Sequence, residues 1–478
     1  MDGFIGRSGE RREFAELFQR KKASLVTCQG RRRIGKSRFV EECAGSADAF
    51  LRFSGLPPRE GITKQEELDA FADQLAGQTK IPRVPLDGWP AAFQLLASQL
   101  PAKGTVVVLL DEISWMAIGD KDFAGHLKNA WDQHFSKRAG LILVLCGSVS
   151  SWIEDNILNS TGFVGRCTWQ FHLKPLPLAD CVAFWGRNSA RVSAAEKWRM
   201  LAVTGGVPGY LEQLITARTA EENITRLCFH PGGMLFNECD RIFHDIFSRK
   251  AATYRDIVST LIHGPRTLQQ ISDLLDRERG GSLGDALRDL ELAGFIRKDR
   301  FFDPISGKTR PREHHFRLAD NYLRFHLKYV APVQDQVAKG LYQRTPLESL
   351  EAWDTIMGFQ FETLMLDSLE EILTRLGLRQ RAVLNAGPYA QGKTLRREAC
   401  QIDLLIRTRQ SLYIVEMKFR KRTGVEVIDE VKQKVARLKL PKGQSFRTVL
   451  IHSGELDPAV EASDYFDFII PSDELVAG

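Results

Sequence analysis

The stretch Ala23-Ser-Leu-Val-Thr-Cys-Gln-Gly30-Arg-Arg-Arg-Ile-Gly-Lys-Ser37 decides the fold of the first part of this chain. Residues 23–28 have the apolar and β-branched character of a buried strand. The residues from Gly30 match the pattern GxxxxGK[ST], and a helical sequence begins at Arg38. The order strand, glycine-rich loop, helix predicts a parallel α/β sheet with a phosphate-binding loop at its edge.

The residues of this loop have separate predicted roles. Glycines let backbone N–H groups close around phosphates, and the N-terminus of the following helix adds a favourable dipole. Lys36 is expected to bridge the β- and γ-phosphates of a nucleoside triphosphate, and Ser37 to bind Mg²⁺. The residues predicted to bind the nucleotide here are Gly30, Arg33, Gly35, Lys36, Ser37 and Arg38.

Two further apolar runs end in polar residues that suit the same site. Thr105-Val-Val-Val-Leu-Leu precedes Asp111 and Glu112, and Leu141-Ile-Leu-Val-Leu-Cys-Gly precedes Ser148. An acid at the carboxyl end of a parallel strand can hold Mg²⁺, here Asp111, and Glu112 can polarise the attacking water. Ser148 is expected to orient that water. The competing interpretation is that the two acids only cap a helix after the strand.

Arg166 follows the segment Thr161-Gly-Phe-Val-Gly and is predicted to act as an arginine finger. Such a finger accelerates phosphoryl transfer by about 10³–10⁵. If Arg166 acts on a neighbouring copy of the chain, hydrolysis requires a homo-oligomer. An ordinary surface ion pair is the alternative role.

These motifs resemble those of the archaeal-type P-loop ATPases, a family related to the AAA+ and STAND ATPases. The resemblance covers nearly the whole chain and implies ATP as the nucleotide. It implies that an N-terminal Gly-Arg element lies near the nucleotide base, that Pro208 of a helical lid lies against the adenine, and that Arg166 is a nucleotide sensor or finger. The matching elements are Phe4-Ile-Gly-Arg-Ser-Gly-Glu10, the phosphate loop, Leu110-Asp-Glu, Gly147-Ser, Gly165-Arg and Gly205-Gly-Val-Pro-Gly-Tyr210.

The composition is that of a globular protein. The chain has 478 residues, 43% hydrophobic and 26% charged, which corresponds to about three domains. Apolar runs have strand length and stay below the roughly 18–20 residues that cross a bilayer. The N-terminal residues are polar where a signal peptide is apolar, and the eight cysteines contain no CxxC pair. The sequence therefore predicts a cytoplasmic protein without a membrane segment.

Positive charge is concentrated near the C-terminus. The whole chain has a formal charge of +6, but residues 375–440 contain 16 basic and 6 acidic side chains. A local excess of positive charge predicts a polyanionic partner, because each neutralised phosphate releases counterions. A solvated basic face is the alternative interpretation.

The order of the predicted elements divides an α/β protein into four parts. Residues 1–177 are predicted to form an AAA+-like P-loop ATPase core with a parallel sheet, and residues 178–248 a helical lid. Residues 249–340 are predicted to form a winged-helix module with its connection. Residues 341–478 are predicted to form a second α/β domain, similar to restriction endonucleases.

The winged-helix prediction rests on three helices followed by a hairpin. The second helix of such a motif enters the major groove, yet this sequence places Asp285, Asp289 and Glu291 there against Arg288, which disfavours phosphate contact. A structural or regulatory role and direct DNA contact therefore both stay open. The hairpin suits DNA better, with the basic residues Arg297, Lys298, Arg300, Lys308, Arg310 and Arg312.

The C-terminal part predicts a site that contains two acids and a lysine. Asp403 lies near the start of one strand, and Glu416-Met-Lys418 ends another. Side chains alternate along a strand, so Glu416 and Lys418 share a face and Asp403 is expected on the neighbouring strand. Paired carboxylates concentrate Mg²⁺, which activates water and offsets charge on a phosphodiester. A salt bridge on an edge strand is the open alternative.

This pattern resembles the core of the PD-(D/E)xK nucleases, with Glu362 matching the helix acid, Asp403 the first strand acid and Glu416-x-Lys418 the second strand. The resemblance implies that these four residues are catalytic and that Asp403 and Glu416 bind Mg²⁺, or Mn²⁺ in its place. It also implies DNA as the partner. Two residues depart from the family's usual pattern and leave the substrate open, Gln401 and Phe419.

Three hypotheses of function follow. The first is an ATP-hydrolysing switch that controls a Mg²⁺-dependent DNA endonuclease, which the resemblance associates with defence or the maintenance of mobile elements. The second is an ATP-regulated DNA-binding protein whose nuclease-like domain is inactive. The third is a STAND-like signalling ATPase with protein partners, for which DNA binding is weak and depends little on salt.

Overall fold

The computed structural model describes residues 3–148, 150–247, 250–278, 280–343, 345–378, 382–395, 398–438, 440, 443 and 445–477. The chain forms two compact units. The first unit contains Met1–Lys174, Arg241–Ala251 and Arg288–Gly294. The second contains Pro175–Asp240, Ala252–Leu287 and Phe295–Gly478.

The first 174 residues form a parallel sheet covered by helices. The strand order is β2-β3-β4-β1-β5, and every neighbouring pair is parallel. The strands are β1 (Ser24–Gln29), β2 (Ala49–Ser54), β3 (Val106–Asp111), β4 (Leu141–Gly147) and β5 (Cys167–His172). The helices are α1 (Ser8–Leu17), α2 (Lys36–Ala44), α3 (Lys64–Gln78), α4 (Trp89–Gln99), α5 (Ile113–Met116), α6 (Phe123–Gln133) and α7 (Ser150–Ile153).

The three central strands of this sheet are buried along their whole length. All residues of β1, β3 and β4 are buried, because helices cover both faces of the sheet. Parallel strands covered in this way are continuous apolar runs rather than alternating ones. The prediction of a parallel α/β sheet from these runs is confirmed.

The next part of the chain is mainly helical and contains a hairpin, which two short helices follow. The strands β6 (Ile296–Phe302) and β7 (Thr309–Leu318) pair antiparallel. The order helix, helix, helix, hairpin that the sequence predicts after residue 249 is present, and its role stays a prediction. The helices are α8 (Leu178–Val182), α9 (Ala194–Thr204), α10 (Pro208–Leu211), α11 (Ala220–Cys228), α12 (Glu238–Phe247), α13 (Ala251–Thr260), α14 (Leu268–Leu275), α15 (Gly281–Leu292), α16 (Asn321–Phe325) and α17 (Gln334–Ala338).

The C-terminal residues form a mixed sheet of order β12-β11-β10-β9-β8. The pairs of β8 with β9 and of β9 with β10 are antiparallel, and the remaining pairs are parallel. The strands are β8 (Val383–Gln391), β9 (Cys400–Thr408), β10 (Ser411–Thr423), β11 (Ser445–Leu456) and β12 (Phe468–Pro471). The helices are α18 (Trp353–Asp367), α19 (Leu369–Arg375), α20 (Glu426–Arg437) and α21 (Pro458–Ala462).

The β6–β7 hairpin packs against this C-terminal sheet. Phe302 belongs to the same buried cluster as Tyr389 and Ile402. The Arg407 guanidinium donates a hydrogen bond of 3.2 Å to the carbonyl of Ile305. The hairpin and the sheet therefore share one hydrophobic core within the second unit.

Across the described residues, no helix has both the length and the apolar character that a bilayer crossing requires.

The aromatic core of the first unit is the source of a stability prediction. Phe93 is fully buried, with its ring centroid 5.5 Å from that of Trp89 and 5.8 Å from that of Phe123. Phe93→Ala is expected to cost about 3–5 kcal/mol, because it removes apolar contacts and leaves a cavity. The midpoint of urea unfolding measures this loss. The exposed Val164 provides the control, since Val164→Ala should leave the midpoint unchanged; equal effects of the two substitutions would contradict the packing described.

Candidate functional site

The phosphate loop of the first unit has a backbone that needs glycine at two positions. Gly30 has φ +147°, and a Cβ there would lie 2.5 Å from the carbonyl oxygen of Leu173. Gly35 has φ +88° and caps the N-terminus of α2. L-residues with side chains rarely adopt these conformations. The loop therefore makes a sharp turn between the end of β1 and the first residue of α2.

Lys36 lies at the centre of this loop and is buried. Its ammonium donates hydrogen bonds to the carbonyls of Gly30 and Arg31, at 2.9 and 3.2 Å, and to the hydroxyl of Ser148, at 2.9 Å. All three acceptors are neutral. The positive charge of Lys36 therefore has no anionic partner among these groups, which suits the binding of an anion such as a phosphate.

Ser148 links Lys36 to Glu112. The Ser148 hydroxyl donates to Oε1 of Glu112 at 2.8 Å, and the Ser148 backbone N–H donates to Oε2 at 3.0 Å. Glu112 itself has φ +47°, a left-handed conformation that is uncommon for a residue with a side chain. The structure thus brings together Lys36, Ser148 and Glu112, three residues that the sequence places in one site.

Asp111 is buried at the end of β3 and has a partner that the sequence analysis missed. Its Oδ2 lies 2.8 Å from Nη2 of Arg52, and its Oδ1 accepts the backbone N–H of Glu112 at 3.2 Å. Arg52 lies on β2, which is the neighbour of β3 in the sheet. That neighbourhood follows from the strand order, which the sequence does not reveal.

The remaining residues predicted at the nucleotide site have varied settings. Ser37 is half-buried and Arg38 exposed in the first turn of α2, while Arg33 has φ +63° within the loop. Arg7 of the N-terminal element donates a hydrogen bond of 3.2 Å to the carbonyl of Ile34 in the loop. Pro208 begins α10 in the second unit, and its contact with adenine stays a prediction.

Arg166 forms a two-point ion pair with Asp132 of α6. Its Nε and Nη2 donate to the two carboxylate oxygens at 2.8 and 2.9 Å. The hydrogen bond from Arg166 lowers the pKa of Asp132 to about 2. This is the ion pair that the sequence analysis kept as an alternative; service as a finger would require the guanidinium to leave Asp132.

In the second unit, strands β9 and β10 bring the predicted acids together. Oδ2 of Asp403 accepts the backbone N–H of Met417 at 2.8 Å, so Asp403 lies beside the segment that contains Glu416 and Lys418. Nζ of Lys418 is 2.9 Å from Oε1 of Glu416. The predicted sharing of one face by Glu416 and Lys418 is confirmed, as is the position of Asp403 on the adjacent strand.

Helix α20 adds two charged residues that sequence reasoning missed. Lys434 Nζ is 2.5 Å from Oε2 of Glu416 and 4.0 Å from Oδ1 of Asp403. Glu430 pairs with Lys418. Residues four positions apart lie on the same face of a helix, so the spacing of Glu430 and Lys434 was an available signal.

Asp403 and Glu416 are both largely shielded from water. Glu416 is only 2% exposed and the Asp403 side chain 16%. Burial, with a smaller contribution from the charge of Glu416, raises the pKa of Asp403 to about 8. Burial opposes the charges of Lys418 and Lys434, but the surrounding carboxylates raise the pKa of both ammonium groups. A cation close to Asp403 therefore stabilises its ionised form.

Glu362 of α18 has a cationic partner on the hairpin. Nη1 of the buried Arg317 is 2.8 Å from Oε1 of Glu362, and Nε of Arg317 is 2.7 Å from Oδ2 of Asp299. The charge of Glu362 also contributes to the raised pKa of Asp403. The helix acid thus belongs to the same charge network as the strand acids, and the β6–β7 hairpin holds it.

These groups lie in a cleft of about 1190 Å³ within the second unit. One wall is the hairpin and another is the C-terminal sheet. His314 and His315 line the cleft, and burial lowers the pKa of both imidazoles, which favours their neutral forms. The cleft is also lined by phenylalanine and arginine side chains, those of Phe301, Arg312, Phe359, Phe419, Arg420 and Arg437.

The hairpin arginines predicted to contact DNA differ in their availability. Arg297 pairs with Asp367 at 2.9 Å, and Arg310 pairs with Asp303 at 2.8 Å. Arg312 instead lines the cleft. The basic surface that faces the cleft is therefore smaller than the sequence implies.

The cleft offers few protein ligands for Mg²⁺. Within the described part of the chain, no three or more His, Cys, Asp or Glu side chains are grouped to hold a metal ion. Mg²⁺ is usually bound by one or two carboxylates, with water and substrate phosphate in the remaining positions. Asp403 and Glu416 fit that smaller donor set.

The five-stranded parallel sheet with its phosphate loop has a P-loop fold. The structure is similar to the Walker-type ATPase Paby2304 of Pyrococcus abyssi, with a TM-score of 0.51 and 18% identity over 68% of this chain and 96% of that chain. The likeness shows a shared fold. No protein-family model matches the sequence, and no curated protein matches it.

Two other solved structures have lower scores. The ORC2 protein of Aeropyrum pernix, in its ADPNP–ADP complexes, has a TM-score of 0.40 and 12% identity over 71% of this chain and 97% of its own. Cdc6p of Pyrobaculum aerophilum has a TM-score of 0.35 and 12% identity over 72% of this chain and 98% of its own. No conclusion rests on these two scores.

The raised pKa of Asp403 gives a pH prediction. The pKa of this carboxyl rises from 3.8 to about 8 on folding, so the folded state binds its proton more tightly than the unfolded state does. The free energy of unfolding therefore falls as pH increases across that range. Asp403→Asn removes this titration and keeps an acceptor for the Met417 N–H. The melting temperature of the variant should exceed that of the wild type by a few degrees at pH 8 and by less at pH 5.

The exposed Asp429 of α20 provides the matched control. Asp429→Asn should give a difference that does not change with pH. A constant difference for Asp403→Asn as well would show that its pKa is not raised.

Proposed function

We propose that the first unit binds and hydrolyses ATP. The observation that carries this proposal is the hydrogen-bonded chain from Lys36 through Ser148 to Glu112, beside Asp111 at the end of β3. The fold shared with a Walker-type ATPase supports it. The phosphate loop supplies the setting in which such a chain can act on a polyphosphate.

Each residue then has a role in the reaction. Lys36 binds the β- and γ-phosphates, and its neutral hydrogen-bond partners give way to charged oxygens. Ser37 and Asp111 would hold Mg²⁺, which supplies neutralisation of phosphate charge when bound. Ser148 holds the Glu112 carboxylate in place before the reaction. Once this carboxylate turns from Ser148 to the attacking water, it orients and polarises that water.

Variants of this chain of residues separate binding from hydrolysis. Lys36→Ala should abolish ATP binding, since it removes the ammonium group that is expected to bind the β- and γ-phosphates. Glu112→Gln should bind ATP with little change and lose about 10²–10⁴ in hydrolysis rate, the usual contribution of a general base. Titration with a fluorescent ATP analogue and a phosphate-release assay measure the two effects.

Lys22→Ala, at an exposed lysine of the same unit, is the control and should match the wild type. Full hydrolysis by Glu112→Gln would contradict the role given to that residue.

We propose that the cleft of the second unit is a Mg²⁺-dependent deoxyribonuclease site. The convergence of Asp403, Glu416 and Lys418 carries this proposal. The two carboxylates would hold the metal, which supplies activation of water and neutralisation of a phosphodiester. Lys418 orients the nucleophile or the phosphate, and Glu430 keeps its ammonium in position.

The lining of the cleft supports a nucleic acid as the substrate. Arg312, Arg420 and Arg437 offer positive charge for phosphates, and the half-buried Phe359 and Phe419 offer aromatic surface for bases. Proteins that bind unpaired strands combine these two features, with stacking worth about 1–3 kcal/mol per base. The local excess of basic residues near the C-terminus agrees with this substrate.

In the proposed protein, ATP controls the cleft as a two-state switch. ATP can shift such an equilibrium only through different affinities for the two states. The helical part and the winged-helix module between the two sites in the sequence are the candidates for transmitting the shift. DNA and further copies of the chain are the proposed partners.

The position of Lys434 favours a second candidate function. Its ammonium contacts Glu416 at 2.5 Å, among the oxygens that a metal would use. If that contact persists, the cleft binds DNA without cutting it, and the protein is an ATP-regulated DNA-binding protein.

Cleavage of plasmid DNA with Mg²⁺ or Mn²⁺, with and without ATP, distinguishes the two candidates. Asp403→Asn and Lys418→Ala should each lower cleavage at least about 100-fold, because each removes a charge from the reacting site, and both should retain DNA in a gel-shift assay. Lys36→Ala should remove the effect of ATP.

Lys432→Ala is the matched control, because Lys432 lies exposed on α20 close in sequence to Lys434. Intact plasmid with a wild-type protein that hydrolyses ATP would contradict the nuclease proposal. Retention of DNA in that case would establish the second candidate.

A further inference from the structure

Lys434 occupies a special position among the charged groups of the cleft. Glu416 uses Oε1 to contact Lys418 at 2.9 Å, and Asp403 uses Oδ2 to accept the Met417 N–H at 2.8 Å. The other two oxygens, Oε2 of Glu416 and Oδ1 of Asp403, are the ones that Lys434 approaches, at 2.5 and 4.0 Å. These two oxygens are the ones that the contacts with Lys418 and Met417 leave open, so a divalent cation held by both carboxylates would meet Lys434 there.

We infer that Lys434 competes with the divalent cation for Glu416 and Asp403 and thereby sets the metal affinity of the cleft. This inference rests on the proposed metal centre. It adds a residue that the Asp–Glu-x-Lys pattern does not contain, and it gives that residue an effect on metal binding that is opposite to the effect of the acids.

Charge balance requires competition rather than coexistence. Glu416 already contacts two ammonium groups, those of Lys418 and Lys434. A dication between the same carboxylates would lie within a few ångströms of Lys434, and two like charges that close repel each other strongly where water is partly excluded. Lys434 must therefore leave before the cation is bound.

The side chain of Lys434 is able to leave. It is 23% exposed and lies in the last turn of α20, and it lines the cleft. A lysine has four flexible methylene groups, so the ammonium can move towards the cleft opening while the helix stays in place. Lys418 is held differently, because both Glu416 and Glu430 contact it.

The released ammonium remains in the cleft, where the phosphates of a nucleic acid are anionic partners for it. A phosphate that attracts Lys434 away from Glu416 lowers the cost of metal binding. Metal and nucleic acid are therefore expected to bind with positive cooperativity, and thermodynamic linkage makes that cooperativity reciprocal.

Binding of Mn²⁺ alone tests this competition. Isothermal titration is performed without nucleotide, in a Lys36→Ala background, for the parent protein and for Lys434→Met, Lys434→Arg and Lys432→Met. Each protein is compared with its Asp403→Asn counterpart, so that only binding at the cleft is counted. Lys434→Met should bind Mn²⁺ at least about tenfold more tightly than the parent, whereas Lys434→Arg and Lys432→Met should resemble the parent.

A thermal-shift measurement gives an independent readout. Lys434→Met should melt below the parent without Mn²⁺, because it leaves a carboxylate without one of its partners. It should gain more than the parent does at the same Mn²⁺ concentration, since the stabilisation by a ligand grows with the logarithm of the ratio of its concentration to its Kd. Far-ultraviolet circular dichroism shows whether the variant is folded before either experiment.

The outcomes separate this inference from the proposed nuclease. Equal or weaker Mn²⁺ binding by Lys434→Met, with normal binding by the parent, overturns the competition and leaves the metal centre intact. Absence of Asp403-dependent binding in every variant overturns both. Tighter binding by Lys434→Met together with parental binding by Lys434→Arg supports the inference.

Discussion

The burial of the Glu416 carboxylate is the constraint on which the C-terminal cleft depends. A carboxylate removed from water needs compensating charge or hydrogen bonds, and Glu416 has an ammonium at each oxygen, from Lys418 on its own strand and from Lys434 on α20. Because the two cations come from different elements, the ion pairs hold the helix against the sheet. Glu430 on the same helix then compensates Lys418. The ion pairs of Glu416 thus act together with the apolar cluster in which Val427 and Val431 of α20 pack against Leu450 of the sheet.

The same constraint has a different result in the first unit. Lys36 is buried among carbonyl and hydroxyl oxygens, so its hydrogen bonds are satisfied while its charge is not balanced by them. The phosphate loop is therefore suited to receive an anion. In the cleft of the second unit, Glu416 already contacts two ammonium groups, so a metal cation binds there only in exchange for one of them.

Much of the fold and part of each site could be predicted from the sequence. The buried strands were visible because parallel strands covered on both faces are continuous apolar runs, and the period of two in a strand was enough to place Glu416 beside Lys418. The partners Arg52 and Arg317 were not visible, because each depends on which elements become neighbours after folding. The spacing of Glu430 and Lys434 showed that they share a helix face, but not which strand that face meets. Arg166 shows the same limit: its pairing with Asp132 requires the position of α6, which no local pattern contains.

The ion pair between Arg317 and Glu362 has a consequence for how this part of the protein can be divided. Arg317 belongs to the hairpin and Glu362 to a helix beyond the following connection, yet both are buried against each other. A fragment that began at α18 would keep the acid and lose its cation, and it would also expose the apolar surface that Phe302 covers. The hairpin and the C-terminal sheet therefore form a single module that is larger than the sheet alone. We expect this module to stay whole in engineered hybrids and in evolution.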